Sequence, residues 1–127
     1  MRALLDTHAL VWWVDGRDKL SATARKTIED TDTEVFVSAA SAWELAIKAR
    51  LGMFKSRELA ERLDEQIVEE GFAALSISVE HALRAGTFDS PHKDPFDRML
   101  VAQAQVEDLS IISKDIAFDS FAVRRIW

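Results

Sequence analysis

Four acidic residues stand where the chain is expected to leave its strands and enter its helices: Asp6, Glu44, Asp97 and Asp115. Asp94 lies close beside Asp97. The carboxyl ends of parallel strands share one edge of a sheet, so these carboxylates are expected to meet in one small volume. Their mutual repulsion there would be costly without a cation. The pattern therefore predicts a divalent metal site.

The types of residue in this set constrain the metal. The chain has no cysteine and no histidine at a recognisable zinc spacing, so oxygen ligands dominate, which favours Mg²⁺, with Mn²⁺ as a possible substitute. Such clusters orient and deprotonate a water for in-line attack on phosphorus and stabilise the leaving oxygen. Phosphodiester hydrolysis is the chemistry this predicts. His92, close to the acidic segment at 94–97, is a further candidate for contact with the substrate.

Each acid also has a purely structural explanation. Asp6 and Asp115 stand at positions typical of helix N-caps, where a side-chain oxygen accepts backbone N–H bonds. Asp94 before Pro95 fits an N-cap followed by the first helical position, and Asp97 then falls in the first turn, where the helix dipole favours acids. Taken singly, these residues are better explained as caps than as catalysts.

Glu44 has the same ambiguity. Ser41 and Glu44 have the spacing of a capping box, and Glu44 could also pair with Lys48 one turn later. However, Ser, Thr or Asn would cap as well as Asp, yet a carboxylate follows at least three predicted strands. That coincidence favours a site over four independent caps.

Short apolar runs alternate with helical patterns along the whole chain. Strands are predicted at 3–5, 35–37, 73–77, 110–113 and 123–127, and helices at 8–14, 21–31, 39–51, 59–70, 79–85 and 95–107. In the helix at 39–51, Trp43, Ile47 and Leu51 share one face, which predicts the core-facing stripe. The alternation predicts a three-layer α/β fold, with a central, mainly parallel sheet flanked by helices, in one domain spanning 1–127.

Composition excludes several classes of protein. The net charge of −6 argues against a simple nucleic-acid coating protein, which would need an excess of Lys and Arg. A metal in an acidic pocket could still attract a phosphodiester, because the ion supplies the positive charge. The longest apolar run, at 9–14, is far short of the roughly 18 residues of a membrane span. With no cysteine, a cytoplasmic location is the default expectation.

Four segments together resemble a known family. They are residues 4–8 (Leu-Leu-Asp-Thr-His), 38–44 (Ser-Ala-Ala-Ser-Ala-Trp-Glu), 92–98 (His-Lys-Asp-Pro-Phe-Asp-Arg) and 113–115 (Ser-Lys-Asp). Their order and approximate spacing are similar to those of the PIN-domain ribonucleases. The segment at 43–52 and the closing Ile126 and Trp127 resemble the VapC toxins of toxin-antitoxin pairs. The resemblance spans essentially the whole chain.

This resemblance implies a site, a reaction and partners. The implied metal-binding and catalytic quartet is Asp6, Glu44, Asp97 and Asp115. Asp94 would be an additional or supporting ligand, and Thr7 and Ser113 would hold the acids or a metal-bound water by hydrogen bonds. Relatives cut single-stranded or looped RNA with Mg²⁺. A VapB-like antitoxin would lay an apolar helix against the first helices and direct a basic side chain toward the acids, and the toxin would be a homodimer.

The chain departs from the family pattern at one position, and two other classes of protein share some of its features. Members of the subgroup often carry a basic residue after Leu-Gly, where this chain has Met53, with Lys55 and Arg57 nearby. Arg98 points about 100° away from Asp97 around its helix, so it is expected at the surface or in a dimer interface.

A receiver-like switch domain would also place acids around Mg²⁺, but only Asp6 fits that pattern. A degenerate PIN module used for protein binding is the second rival.

Overall fold

A central five-stranded sheet organises the fold. The computed structural model describes residues 1–53 and 57–127, so Lys55 lies outside the described residues. The strands are β1 Arg2–Leu5, β2 Glu34–Ser38, β3 Ala73–Leu75, β4 Ser110–Ile112 and β5 Arg125–Ile126, in the order β3-β2-β1-β4-β5. Every pairing of these strands is parallel. The predicted α/β class is therefore confirmed, and the carboxyl ends of all five strands lie at one edge.

Helices connect the strands and cover both faces of the sheet. In the described residues they are α1 Thr7–Asp15, α2 Ala22–Glu29, α3 Ala39–Arg50, α4 Arg57–Glu61, α5 Leu63–Glu69, α6 Val79–Thr87 and α7 Pro95–Glu107, with 3₁₀ helices at Arg17–Lys19 and Ile116–Ser120. None of the helices in these ranges is long and apolar enough to cross a membrane.

The single helix predicted at 59–70 is instead two helices, α4 and α5. The chain breaks at Arg62, whose φ of −116° and ψ of 18° are not helical. Leu59 and Leu63, on either side of the break, are both buried. The spacing of apolar residues thus predicted the buried stripe correctly, but it carries no sign of a one-residue break that keeps the stripe in place.

The core has two parts, one on each side of the sheet, because successive strand residues point to opposite faces. Ala3 and Leu5 of β1 pack with Leu10 and Trp13 of α1 in one cluster. Leu4, between them, packs in the other cluster, which includes Leu100 of α7, Ile111 of β4 and Phe118. All the β1 members of these clusters are fully buried. The two clusters create the helix–sheet–helix layers.

Helix α3 does not bury the face that its large apolar residues predict. Trp43 is 61% exposed and Leu51 57% exposed, whereas Ala40, Ser41, Glu44 and Leu45 are buried. The prediction that Trp43 and Leu51 face the core was wrong. Small residues allow α3 to lie close to its neighbours, and this orientation turns Glu44 inward and leaves the indole of Trp43 at the surface.

Two glycines give a direct test of the backbone. Gly86 lies within α6, and a Cβ added there meets no atom within 4 Å. We therefore expect Gly86→Ala to raise the free energy of unfolding by roughly 0.5 kcal/mol, through helix propensity. Gly71 has a φ of 70°, so Gly71→Ala is expected to lower the stability by about 1 kcal/mol. Urea denaturation of both variants checks the signs, and stabilisation by Gly71→Ala would contradict the backbone geometry.

Candidate active site

Asp6 lies at the carboxyl end of β1, the central strand, and is only 6% exposed. It is the N-cap of α1: its Oδ1 accepts a 2.7 Å hydrogen bond from the backbone N–H of Ala9. Its Oδ2 accepts a hydrogen bond from the hydroxyl of Ser113. Burial raises the pKa of Asp6 above its ordinary value, and the nearby Asp115 carboxylate raises it further, while the two hydrogen bonds oppose the change.

Ser113 connects Asp6 to Asp115 across the neighbouring strand. It is fully buried directly after β4, which pairs with β1, and its Oγ accepts a 3.0 Å hydrogen bond from the backbone N–H of Asp115. Asp115 in turn caps the 3₁₀ helix Ile116–Ser120 by accepting a 2.9 Å bond from the N–H of Ala117. The capping positions expected for both acids are thus confirmed, and the same contacts bring the two carboxylates to one edge of the sheet.

Asp97 enters this group from α7. It lies in the first turn of the helix, whose N-cap is Asp94, and Asp94 Oδ1 accepts bonds from the N–H groups of Phe96 and Asp97 at 2.9 and 3.1 Å. Asp97 Oδ2 is 2.8 Å from His92 Nε2. Burial raises the pKa of Asp97 to about 6; the bond to His92 opposes this, and the charges of Asp94 and Asp6 add to it. His92 therefore touches the acid cluster directly.

Arg98 holds the segment that carries His92. Its guanidinium donates hydrogen bonds to the carbonyl oxygens of Ala85 at 3.1 Å and His92 at 3.2 Å, and also to those of Phe88 and Ser90. Arg98 is half-buried and engaged with the protein's own backbone, and its predicted place in a dimer interface stays a prediction. Five N–H donors suit guanidinium to this task.

Glu44 approaches from α3. It is 6% exposed, and its Oε2 is 2.7 Å from Lys48 Nζ, so the predicted ion pair is confirmed. The predicted capping box is wrong, because α3 begins earlier than that pattern assumed: Ser38 is the N-cap, and its Oγ accepts a 2.9 Å bond from the N–H of Ala40. Ser41 is already inside the helix, where its hydroxyl accepts a hydrogen bond.

Two contacts tie α3 to the other elements of the site. The Thr7 hydroxyl, at the start of α1, donates a 3.1 Å hydrogen bond to Ser41 Oγ, and both residues are buried. The rings of Trp43 and Phe96 meet edge to face, with their centroids 5.1 Å apart. Because Trp43 precedes Glu44 and Phe96 precedes Asp97, this contact draws the two acids' backbones together.

The donor set suits a hard divalent cation, although the carboxylates are not arranged as a finished site. Within the ranges 1–53 and 57–127, no group of three or more His, Cys, Asp or Glu side chains is placed to hold a metal. Each acid accepts from a protein donor instead. Burial together with neighbouring negative charge raises the pKa of both Asp6 and Asp97, and a cation among the oxygens would relieve that cost.

The acids line the carboxyl edge of a parallel sheet in a three-layer α/β fold. This places the protein among the α/β proteins that bind ligands at that edge of the sheet. A family comparison then identifies it: the PIN domain model matches residues 3–124, so the chain belongs to the PIN domain family. A comparison with curated proteins finds no match.

Solved structures with the same fold come from several bacteria. VapBC2 from Rickettsia felis, bound to a DNA fragment from its promoter, contains a chain with a TM-score of 0.73 and 13% identity, and the match covers 98% of this chain and 97% of that one. DNA-bound VapBC from Salmonella typhimurium gives 0.73 and 16%, covering 98% and 96%. VapBC-1 from nontypeable Haemophilus influenzae gives 0.72 and 16%, also covering 98% and 96%. At these identities the likeness shows the fold.

Proposed function

We propose that this protein is a metal-dependent endoribonuclease that acts as the toxin of a toxin-antitoxin pair. The observation that carries the proposal is the position of Asp6 and Asp115 after the paired strands β1 and β4, with Asp97 near Asp6: the charge of Asp115 raises the pKa of Asp6, and the charge of Asp6 raises the pKa of Asp97. The PIN domain family consists of nucleases. A cluster of oxygen donors at a sheet edge is the arrangement that such chemistry requires.

The chain's own residues have distinct parts in this reaction. The carboxylates of Asp6, Glu44, Asp97 and Asp115 would hold Mg²⁺, with Mn²⁺ as a substitute. When bound, the metal supplies positive charge to the phosphodiester and an acidified water as nucleophile. Ser113 fixes Asp6 by donating to its Oδ2, and His92 holds Asp97 from the other side. Thr7 holds Ser41 and thereby α3, while Asp94 fixes the first turn of α7.

Lys48 already neutralises part of the negative charge in the pocket through its ion pair with Glu44. Coordination by Glu44 would require this carboxylate to share its oxygens between the lysine and the ion. The pair therefore places a lysine directly beside a buried carboxylate of the proposed site.

The partners follow from the same proposal. The structural neighbours are VapBC assemblies, which supports a VapB-like antitoxin for this chain, bound against the first helices with a basic side chain directed toward the acids. RNA is the proposed substrate, the active toxin is a homodimer of a single domain spanning 1–127, and the cytoplasm is its location. Membership of the PIN family excludes the receiver-like alternative.

The test is cleavage of RNA by the purified, antitoxin-free protein. End-labelled total cellular RNA is incubated with Mg²⁺ or with a chelator and resolved at single-nucleotide length. We expect a small set of discrete fragments that require the metal. Intact RNA in both lanes, with protein that is folded by circular dichroism, would favour the remaining rival, a degenerate module used for protein binding.

A further inference from the structure

A buried glutamine connects helix α7 to the edge of the sheet that carries the acids. The side chain of Gln103 lies in the core at 0% exposure. Its Oε1 accepts a hydrogen bond from the hydroxyl of Ser38, the last residue of β2, and its Nε2 donates a 3.3 Å bond to the carbonyl oxygen of Ser76, directly after β3. Strands β2 and β3 are paired neighbours. Both polar atoms of this amide therefore bind at the carboxyl edge of the sheet.

The hydroxyl of Ser38 also belongs to helix α3. Ser38 is the N-cap of that helix, and its Oγ accepts a 2.9 Å hydrogen bond from the backbone N–H of Ala40. A hydroxyl has one donor and two acceptor sites, so it can cap α3 and donate to Gln103 at the same time. The hydrogen bond between Ser38 and Gln103, called the clamp below, joins the start of α3 directly to α7.

A second contact joins the same two helices at another level. The rings of Trp43 and Phe96 meet edge to face, with their centroids 5.1 Å apart. Phe96 and Gln103 are seven residues apart, which is two helical turns, so both lie on the face of α7 that contacts α3. Trp43 follows Ser38 in the chain, whereas Phe96 precedes Gln103, so the helices run antiparallel. Contacts at two levels limit how far one helix can slide along the other.

The two acids that the helices carry lie at equal distances from the clamp. Glu44 is six residues after Ser38, and Asp97 is six residues before Gln103. At 1.5 Å per residue, both positions are about 9 Å from the clamp along their helices, in the same direction. The other two acids of the proposed site follow β1 and β4, whose register is fixed by strand pairing. The register of α3 against α7 therefore decides how the remaining two acids meet the first pair.

We propose that Gln103 is a positioning residue for the metal site: the clamp sets the register of α7 against α3 and so holds Asp97 and Glu44 at the separation that the ion requires. The inference rests on the proposed metal-dependent function. A slip of one residue moves a carboxylate about 1.5 Å along its helix, whereas metal–ligand distances vary by only about 0.2 Å. A shift much smaller than one residue is therefore enough to weaken the site.

The competing explanation is that Gln103 only stabilises the core. Loss of a buried hydrogen bond lowers the free energy of unfolding wherever the bond lies. Such a loss reduces the fraction of molecules that are folded, but it does not change the metal affinity of the molecules that stay folded. Metal affinity, measured under conditions in which every variant is folded, separates the two explanations.

The experiment measures the affinity of the metal-free protein for Mn²⁺ by isothermal titration calorimetry, with folding checked by circular dichroism. Gln103→Leu keeps the bulk of the side chain and removes both of its hydrogen bonds, so we expect the affinity to fall on the order of 10-fold. The Mg²⁺ concentration for half-maximal RNA cleavage should rise by the same factor. The matched control is Leu109→Ala. Leu109 is buried directly before β4, at the opposite edge of the sheet, so its loss should lower stability and leave the Mn²⁺ affinity unchanged.

Ser38→Gly breaks the clamp from the other side. Glycine is tolerated at an N-cap with little loss of helix stability, so this variant removes the partner of Gln103 while α3 still forms. We expect a fall in Mn²⁺ affinity similar to that of Gln103→Leu and no further fall in the double variant, because both substitutions remove the same bond. Ser38→Gly alone also tests the clamp if Gln103→Leu does not fold.

Four results would overturn the inference. If Gln103→Leu and Ser38→Gly bind Mn²⁺ as the wild type does, the glutamine is only structural and the proposed nuclease stands. If Leu109→Ala loses as much affinity as Gln103→Leu, the loss reflects stability. If the effects of the two clamp substitutions add in full, the residues do not act through one bond. If the wild-type protein neither binds Mn²⁺ nor cleaves RNA, the proposed function fails and the positioning role fails with it.

Discussion

Asp97→Asn should abolish metal-dependent RNA cleavage, with a fall in rate on the order of 10³-fold or more, and leave the fold intact. The substitution removes one negative charge from a cluster whose acids already repel one another, so the metal loses a ligand. An asparagine can still accept the hydrogen bond that His92 makes at 2.8 Å. Single-turnover cleavage and thermal unfolding of the same preparation measure the two halves of the prediction.

The matched control for this experiment is Asp108→Asn. Asp108 lies at the opposite end of the same helix, beside the amino end of β4, with a φ of 55° that asparagine tolerates. It makes the same chemical change far from the acids, so cleavage should remain at the wild-type rate. Equal cleavage by Asp97→Asn and Asp108→Asn would remove Asp97 from the site.

The metal-free protein is expected to lose stability as the pH rises from about 4 to about 6. The pKa of Asp97 is raised from 3.8 to about 6 in the folded protein, chiefly by burial, so the folded state binds more protons than the unfolded state in this window. Stability then falls with increasing pH, by up to about 3 kcal/mol for a side chain that is one-fifth exposed. Burial also raises the pKa of Asp6, which adds in the same direction.

Two comparisons isolate the contribution of Asp97 to this pH dependence. Asp119 contributes a pH dependence of the opposite sign, because its hydrogen bond to Arg125 lowers its pKa. The quantity to measure is therefore the difference in the free energy of unfolding between wild type and Asp97→Asn. That difference should grow from pH 4 to pH 7 in favour of the variant.

Millimolar Mg²⁺ or Mn²⁺ at pH 7 should raise the Tm of the wild type and leave the variant nearly unchanged. A metal-independent Tm in both proteins would contradict a site at these acids.

Much of the acid site was predictable because each element that positions it has a local signature. The apolar run before Asp6 predicted a buried strand, and parallel strands align their carboxyl ends without further information. The helix starts at Asp6, Asp94 and Asp115 were correct because an N-cap satisfies its own backbone within three residues. His92 was identified only by its nearness in sequence to the acids; it contacts Asp97 at 2.8 Å, and its contact with the substrate stays a prediction.

The features that the sequence did not reveal are contacts that have no local signature. The face that α3 buries depends on how closely it packs against the rest of the fold, and this favoured Ala40 and Ser41 over Trp43. Arg98 bonds to backbone carbonyls of residues 85–92, and every residue offers a carbonyl, so no side-chain pattern reveals such partners. The same orientation of α3 leaves the indole of Trp43 exposed.

Anomalous diffraction from crystals soaked in Mn²⁺ tests the central claim most directly, because it locates the ion without reference to any substrate. We expect a peak within coordination distance of carboxylate oxygens from Asp6 and Asp97, with Asp115 and Glu44 contributing directly or through water, and no such peak in Asp97→Asn. A well-ordered wild-type crystal that binds Mn²⁺ elsewhere, or not at all, would show that these acids are helix caps and not a metal site.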